Sequence, residues 1–146
     1  MQTRRVFAVV VGVTVAGANL ASVRAGQLPL DPFRETGQSV TPAYEGWYAN
    51  PDGTFTLSFG YFNRNTDQVL EIPLGENNSI EPAEFDGMQP THFDRVPEGN
   101  YRRRFCVFTV NVPADFGQQE VLWTLNTHGE AITTPGKVLP SYILDE

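Results

Sequence analysis

The sequence predicts an all-β fold, an immunoglobulin-like antiparallel β-sandwich of about seven strands. Apolar Phe55, Leu57, Phe59 and Tyr61 alternate with hydroxyl residues and glycine, which is the period of a half-buried strand. Aromatic residues are abundant, with 10 Phe, 5 Tyr and 2 Trp, while 13 Gly and 11 Pro separate short segments. Turn signals recur about every eight to twelve residues, as in sandwich domains.

The stretch from residue 44 to residue 61 predicts the first hairpin. Asn50-Pro51-Asp52-Gly53 places Asn, Pro and Gly where a type I turn prefers them. Residues 44–48, before the turn, are expected to pair back on the aromatic strand after it. Because a two-stranded ribbon cannot bury an aromatic face alone, we expect further strands to cover it.

The middle of the chain is less regular. Residues 69–74 predict a strand with Leu70, Ile72 and Leu74 on one face, and Pro73 favours an edge or a strand end. Residues 75–79 predict a turn. The acidic, proline-containing stretch 80–101 is interpreted as a long loop that crosses between sheets.

A strong strand is predicted to end at Pro113. Cys106 shares one face of it with Phe108, Val110 and Val112, while the opposite face is also apolar. This pattern predicts a central strand covered on both sides, with Cys106 as a buried structural thiol.

The C-terminal part predicts a second hairpin and a last short strand. Val121, Trp123 and Leu125 form an inner face, and His128-Gly129 permits a tight reversal. Residues 131–134 are expected to pair back until Pro135-Gly136 breaks the strand. Val138 with residues 142–144 offers the last short strand.

The N-terminus predicts a hydrophobic helix that directs export. Arg4 and Arg5 precede an apolar segment that extends to Val23, whose membrane-facing residues are Val6, Phe7, Val9, Val10, Val11, Val13, Val15 and Leu20. The pattern is that of a signal peptide, and its length also approaches a membrane span. The domain division is therefore 1–25 signal peptide or uncleaved transmembrane anchor, 26–42 extended linker and 43–146 β-sandwich domain.

Cleavage and retention both remain open as outcomes. Val23-x-Ala25 is an imperfect cleavage pattern, which favours the anchor by a narrow margin. The arginines at the start would hold the N-terminus of an anchor in the cytoplasm. In either case the domain is expected in the periplasm or at the outer face of the cytoplasmic membrane, with lipid contact through the helix if it is retained.

Charge and cysteine content exclude several classes of function. The net charge is −7, and the part after residue 25 carries 7 − 17 = −10, because Arg4, Arg5 and Arg24 are lost. Such a charge disfavours nucleic-acid binding. A single cysteine excludes an internal disulfide framework and a multi-cysteine metal site.

One motif imitates a calcium site without completing it. Asn63, Asn65 and Asp67 have the spacing of a calcium loop, but Gln68 and Leu74 stand where that loop needs Gly and Glu. A plain hairpin loop is therefore favoured. His92 and His128 are interpreted as loop residues with hydrogen bonds. We assign no catalytic, cofactor or metal residue.

Two groups are candidates for contact with a partner. Arg102, Arg103 and Arg104 would suit an acidic partner or a lipid headgroup, although balance of the preceding acidic loop is the favoured interpretation. Trp47 and Tyr48 are the aromatic candidates, against the alternative that they belong to the core.

The run GWYANPDGTFTLSFGYFNRN resembles a family of short exported proteins from soil bacteria. Further matching pieces are Glu71-Ile72-Pro73, Gln89-Pro90-Thr91-His92-Phe93, Phe108-Thr109-Val110-x-Val112-Pro113, Asp115-Phe116-Gly117 and Trp123-Thr124-Leu125. The likeness covers about residues 40 to 140. It implies an exported β domain and brings no catalytic residue with it.

Three classes of function follow. A non-catalytic extracytoplasmic interaction module, as an accessory or stabilising subunit of a membrane-associated assembly, fits best. An energy-converting complex such as a photosynthetic reaction centre with its antenna would suit such a subunit, although no residue demands it. The alternative is a secreted carbohydrate-binding module with Trp47, Tyr48 or Tyr61 as platforms. An enzyme is disfavoured, since no nucleophile or metal cluster stands out.

Overall fold

The structure, a computed structural model, describes residues 34–95 and 103–144. These residues form antiparallel β-sheets and two short 3-10 turns, and no α-helix occurs among them. The predicted N-terminal helix and the apolar residues assigned to it lie outside the described residues. Within the described ranges, no helix is long and apolar enough to cross a membrane.

Eight strands are present in the described ranges. They are β1 (Val40–Ala49), β2 (Phe55–Asn63), β3 (Leu70–Glu71), β4 (Asn78–Glu81), β5 (His92–Phe93), β6 (Arg103–Val112), β7 (Val121–Thr127) and β8 (Glu130–Gly136). One three-stranded sheet has the order β1-β2-β6, a second has the order β4-β7-β8, and β3 pairs with β5. The prediction of a mostly β, antiparallel domain is confirmed.

The first hairpin forms as predicted. Ala49 pairs with Phe55, and the turn between them is closed by a hydrogen bond from the Gly53 amide to the Asn50 carbonyl oxygen, at 3.0 Å. Gly53 has φ +86°, a conformation that costs glycine little. The Asp52 carboxylate accepts from the Thr54 amide and hydroxyl at 3.0 and 2.6 Å, and these bonds lower the pKa of Asp52.

One apolar core draws on both larger sheets. Phe59 of β2 contacts Trp123 of β7 edge-to-face, with ring centroids 6.3 Å apart, and Phe108 of β6 contacts Trp123 at 4.9 Å. Leu57, Phe59, Val121, Trp123 and Leu125 are all fully buried, as the alternation predicted. The inner faces of both predicted hairpins are therefore confirmed.

Several element predictions were wrong. The 69–74 strand is only two residues long, and Leu74 is exposed because the chain turns away after Ile72. The presumed loop 80–101 contains β5, a 3-10 turn at Ala83–Phe85 and the end of β4. Strand β8 runs through Pro135, which can pair with Leu122 because β8 lies at the edge of its sheet.

The C-terminal segment does not form the predicted strand. Residues Pro140–Tyr142 form a 3-10 turn, and Ile143 makes an isolated parallel bridge with Trp47. The Leu144 amide donates to the Trp47 carbonyl oxygen at 2.9 Å. The segment packs against β1 at several points, since Tyr44 also contacts the Tyr142 ring at 5.5 Å and Trp47 Nε1 donates to the Leu139 carbonyl oxygen.

Part of the stretch interpreted as a linker is bound to the domain. Strand β1 begins at Val40, and the Gln38 amide donates to the side chain of the fully buried Asn65 at 2.7 Å. The Thr66 amide donates to the Arg34 carbonyl oxygen at 2.9 Å. Residues 34–39 are thus fixed along the loop that follows β2.

Candidate functional site

The outer edge of β6 is the candidate functional site, and a bulge gives it its shape. Phe59 pairs with Phe108, but Tyr61 pairs with Arg104, so three β6 residues stand opposite Gly60 alone. Those three residues are Phe105, Cys106 and Val107. Two extra residues in one strand bend it and push side chains off the ladder.

The bulge exposes apolar side chains. Phe105 is 57% exposed and Val107 is 37% exposed, and Cys106 lies exposed between them with φ +50°. We call Arg103, Arg104, Phe105, Cys106 and Val107 the β6 edge patch. Within the described ranges, β6 pairs with β2 alone, so its other side presents main-chain groups as well.

Two predictions for this strand were therefore wrong. Among the described strands, β6 lies at the edge of its sheet rather than at the centre. Its second apolar face is not covered either, since Phe105 and Val107 are exposed. Cys106 is an exposed free thiol rather than a buried one, because the bulge breaks the alternation that would have carried it inward. Val110 and Val112, beyond the bulge, are buried as predicted.

The arginines of the patch are held by carboxylates. Arg103 Nη2 lies 3.3 Å from Glu45 Oε1, and its guanidinium carbon lies 4.8 Å from the centre of the Phe105 ring. Burial raises the pKa of Glu45, while the charge and hydrogen bond of Arg103 oppose that rise. Arg104 Nη2 lies 3.7 Å from Asp94 Oδ2. Arg102 lies outside the described residues.

The acidic stretch 80–101 balances the charge of one of the two described arginines. Asp94, which contacts Arg104, belongs to that stretch, whereas Glu45, which contacts Arg103, belongs to β1. Burial raises the pKa of Tyr61, and the nearby charge of Arg104 opposes that rise in part. Both arginines nevertheless border the exposed Phe105.

Aromatic residues named for contact with a partner occupy different positions. Trp47 is 9% exposed, donates from Nε1 to the Leu139 carbonyl oxygen at 2.7 Å and contacts Phe55 edge-to-face. Tyr61 is 3% exposed and packs on Phe93. Tyr48 is half-buried. Trp47 and Tyr61 therefore face the protein interior and do not present flat surfaces to a sugar.

Two residues of the calcium-like spacing, Asn63 and Asn65, stabilise the loop after β2 through hydrogen bonds of their side-chain amides. Asn63 and Asn65 are fully buried, and Asn63 Nδ2 donates to the carbonyl oxygens of Gln68, Phe93 and Asp94 at 3.0 to 3.2 Å. The Asn63 side-chain oxygen accepts from the amide and side chain of Asn65, both at 2.9 Å. These side chains are thus fully engaged with the protein.

The two histidines lie in a strand and in a turn. His92, in β5, bonds to Glu71 through Nδ1 and to Asp94 through Nε2, the latter at 3.1 Å. These carboxylates raise the pKa of His92. His128 occupies the turn between β7 and β8 with φ +54°. In the described parts of the chain, no group of three or more His, Cys, Asp or Glu residues is arranged to hold a metal ion.

Comparison of the chain with family models, with curated proteins and with solved structures finds no match. The alternation of residues 105–112 did not signal the bulge, since both faces of the run are apolar. The one sequence signal is Gly60, whose position opposite the bulge becomes meaningful only after the strands are paired.

Proposed function

We propose that the protein is a non-catalytic extracytoplasmic interaction module, an accessory or stabilising subunit of a membrane-associated assembly. We further propose that its β domain is an immunoglobulin-like sandwich. The observation that carries the functional proposal is the β6 edge patch, three consecutive exposed residues that include Phe105 and Val107. Apolar residues clustered on a surface are typical of interaction sites, whereas single exposed ones are ordinary.

The patch suits a protein partner with an apolar centre. Phe105 and Val107 supply an apolar contact, and Arg103 stands over the Phe105 ring. Aromatic residues and arginine are enriched in the well-packed centres of protein interfaces. Since the bulge interrupts the ladder, side-chain contact is expected to contribute more than continuous strand pairing.

The location of the partner is proposed from the N-terminal sequence. Arg4 and Arg5 before an apolar segment direct export, and a retained segment would confine the domain to the outer membrane surface. Confinement raises the effective concentration of the domain for a membrane partner. An alkaline carbonate wash and intact-mass measurement test this part: release of a protein that begins at Gly26 would contradict the anchor.

Co-purification from native membranes tests the interaction. The double change Phe105→Ser and Val107→Ser removes the apolar contact of the patch and should abolish recovery of the partner. The variant should still fold, because both side chains are exposed and contribute little to folding. A matched control is Met88→Ser, since Met88 is 60% exposed and lies outside the patch. Equal recovery of the same partners with the double variant and the wild type would overturn the proposed site.

Cys106 provides a footprint of the same surface. Because it is exposed between the two apolar residues, we expect rapid alkylation in the isolated folded protein. In the assembly the partner should cover it, and the rate should fall at least about tenfold if the thiol is fully covered. An unchanged rate in the intact assembly would place the partner elsewhere.

A further inference from the structure

A polar cavity of about 240 Å³ is lined by none of the β6 edge patch residues. Its lining includes Arg34, Arg64, Ser39, His128 and Glu130. Three separate parts of the chain meet there: the segment before β1, the loop after β2 and the turn between β7 and β8. Chain segments distant in sequence therefore contribute two arginines and a histidine to the lining of one cavity.

Buried asparagine bonds fix the two arginine-bearing segments against each other. Asn65, next to Arg64, accepts from the Gln38 amide at 2.7 Å and donates to the Gln38 carbonyl oxygen at 2.7 Å. Arg34 forms a parallel bridge with Asn65, and its carbonyl oxygen accepts from the Thr66 amide at 2.9 Å. The backbone positions of both arginines are thus set before any ligand arrives, which reduces the entropic cost of binding.

The two arginines differ from the other basic residues described. Arg95 pairs with Asp67, Arg103 with Glu45, Arg104 with Asp94 and Lys137 with Glu120. Among residues 34–95 and 103–144, no carboxylate lies within ion-pair distance of Arg34 or Arg64, the only other lysines or arginines there. In a chain with net charge −7, two arginines without an ion-pair partner among the described residues thus line the same cavity.

The acidic residue of the lining is held by a neighbour. Ser39 Oγ donates to Glu130 Oε2 at 2.9 Å, which occupies one oxygen of that carboxylate. With Arg34 and Arg64 positive and Glu130 negative, the lining carries a formal charge of +1 before any charge on His128. The cavity therefore remains favourable to an anion, and Glu130 weakens the attraction.

We propose that this cavity binds a phosphate-type oxyanion. A guanidinium offers planar, paired donors that match phosphate oxygens, and two of them suit a group that carries more than one negative charge. A carboxylate, with one negative charge, would be satisfied by the paired donors of a single guanidinium group. The cavity is open to solvent, and its volume of about 240 Å³ is large enough for a phosphate group.

Titration of the full-length protein with inorganic phosphate tests the proposal. We expect the ¹⁵N-¹H NMR signals of His128, Gly129 and Arg64 to shift saturably at constant ionic strength. Arg34→Gln and Arg64→Gln should each weaken binding on the order of tenfold, because each removes charge-assisted hydrogen bonds. Unchanged spectra elsewhere would show that each variant is folded.

Two control variants test whether phosphate affinity follows the charge of the cavity lining and whether it depends on residues of the cavity alone. Glu130→Gln keeps an acceptor for Ser39 but removes the negative charge, so phosphate affinity should rise. Arg95→Gln removes an exposed arginine outside the cavity and should leave affinity unchanged. An equal loss with Arg95→Gln, or a loss with Glu130→Gln, would overturn the proposal, since a diffuse surface attraction would then explain binding.

Vesicles distinguish the source of the phosphate group. Stronger recovery on phosphatidylglycerol than on phosphatidylcholine vesicles, lost with Arg34→Gln, would identify a lipid headgroup. Saturable binding of inorganic phosphate without that vesicle preference would identify a free phosphate compound. The proposed site would be overturned if phosphate caused no shifts at the highest soluble concentration and vesicle binding did not depend on the arginines.

Discussion

Single polar side chains fix the loops of this domain at the residue scale. Asn63 and Asn65 are fully buried, and their amide groups replace the main-chain partners that a loop lacks. Asn78, also fully buried, accepts from Trp123 Nε1 at 3.1 Å and donates to the Ile72 carbonyl oxygen at 3.0 Å. These contacts explain why amide residues, rather than carboxylates, occupy such positions: burial of a charge would cost far more.

His92 provides a testable pH dependence. Glu71 and then Asp94 raise its pKa, so the fold favours the imidazolium. The resulting stabilisation is fully present below the unfolded pKa of about 6.5 and is lost as pH rises through the higher folded value. NMR titration of the ring protons should show the raised pKa, and Glu71→Gln should lower it. Glu76→Gln, a remote exposed control, should have no effect; an equal fall with both variants would contradict the assignment to Glu71.

At the element scale, bulges on both sides of β2 shape the sheet. The register with β1 shifts between Tyr44 and Gly46, which leaves Glu45 as the extra residue, and the register with β6 shifts opposite Gly60. Glu45 and Arg103 belong to strands separated by β2, yet their side chains form an ion pair. A Cβ atom on Gly60 would overlap the Glu45 carboxylate and the Arg104 carbonyl oxygen. The missing side chain therefore provides the space through which the pair crosses β2.

Gly60→Ala is expected to destabilise the domain by about 1–3 kcal/mol, the usual cost of overpacking. The added methyl group must displace the Arg104 main chain or the Glu45 carboxylate. Urea unfolding followed by circular dichroism measures the loss. Glu45→Ala in the same chain should recover part of it, since one of the two overlaps disappears. Additive losses in the double variant would show that Glu45 does not occupy this space.

At the scale of the whole molecule, aromatic rings join the two larger sheets into one core. Trp123 is fully buried, contacts Phe59 and Phe108 edge-to-face and stacks with Phe93 at 6.4 Å. Phe59 in turn lies against Phe108, with the rings nearly parallel and 5.1 Å apart. Rings from β2, β5, β6 and β7 thus meet in one cluster, so separation of the sheets would expose all of them together.

Trp123→Ala and Phe59→Ala should each reduce the free energy of unfolding by about 3–5 kcal/mol, as expected for large buried aromatic residues. Phe105→Ala is the matched control, because that ring is 57% exposed and should cost less than about 1 kcal/mol. Urea unfolding by circular dichroism reports all three. Comparable losses at Phe59 and Phe105 would show that burial does not determine these contributions.

The sequence by itself determined which residues form strands and which of their faces point inward where the alternation is clean. The Asn50–Gly53 turn, the buried face of β2 and the buried face of β7 followed from local turn chemistry and a period of two. Such signals are local, since each depends on residues only a few positions apart. The cavity at Arg34 and Arg64 gave no such signal, because its lining comes from three distant segments.

Tertiary structure decided which strand lies at an edge and where the pairing is interrupted. Strand β6 has apolar residues on both of its faces. That pattern fits a central strand, and it fits an edge strand with an exposed apolar patch equally well. The choice depends on pairing with β2 across more than forty residues and on the space above Gly60. Cys106 is exposed for that reason: two inserted residues change its surroundings, while the sequence around it keeps its regular alternation.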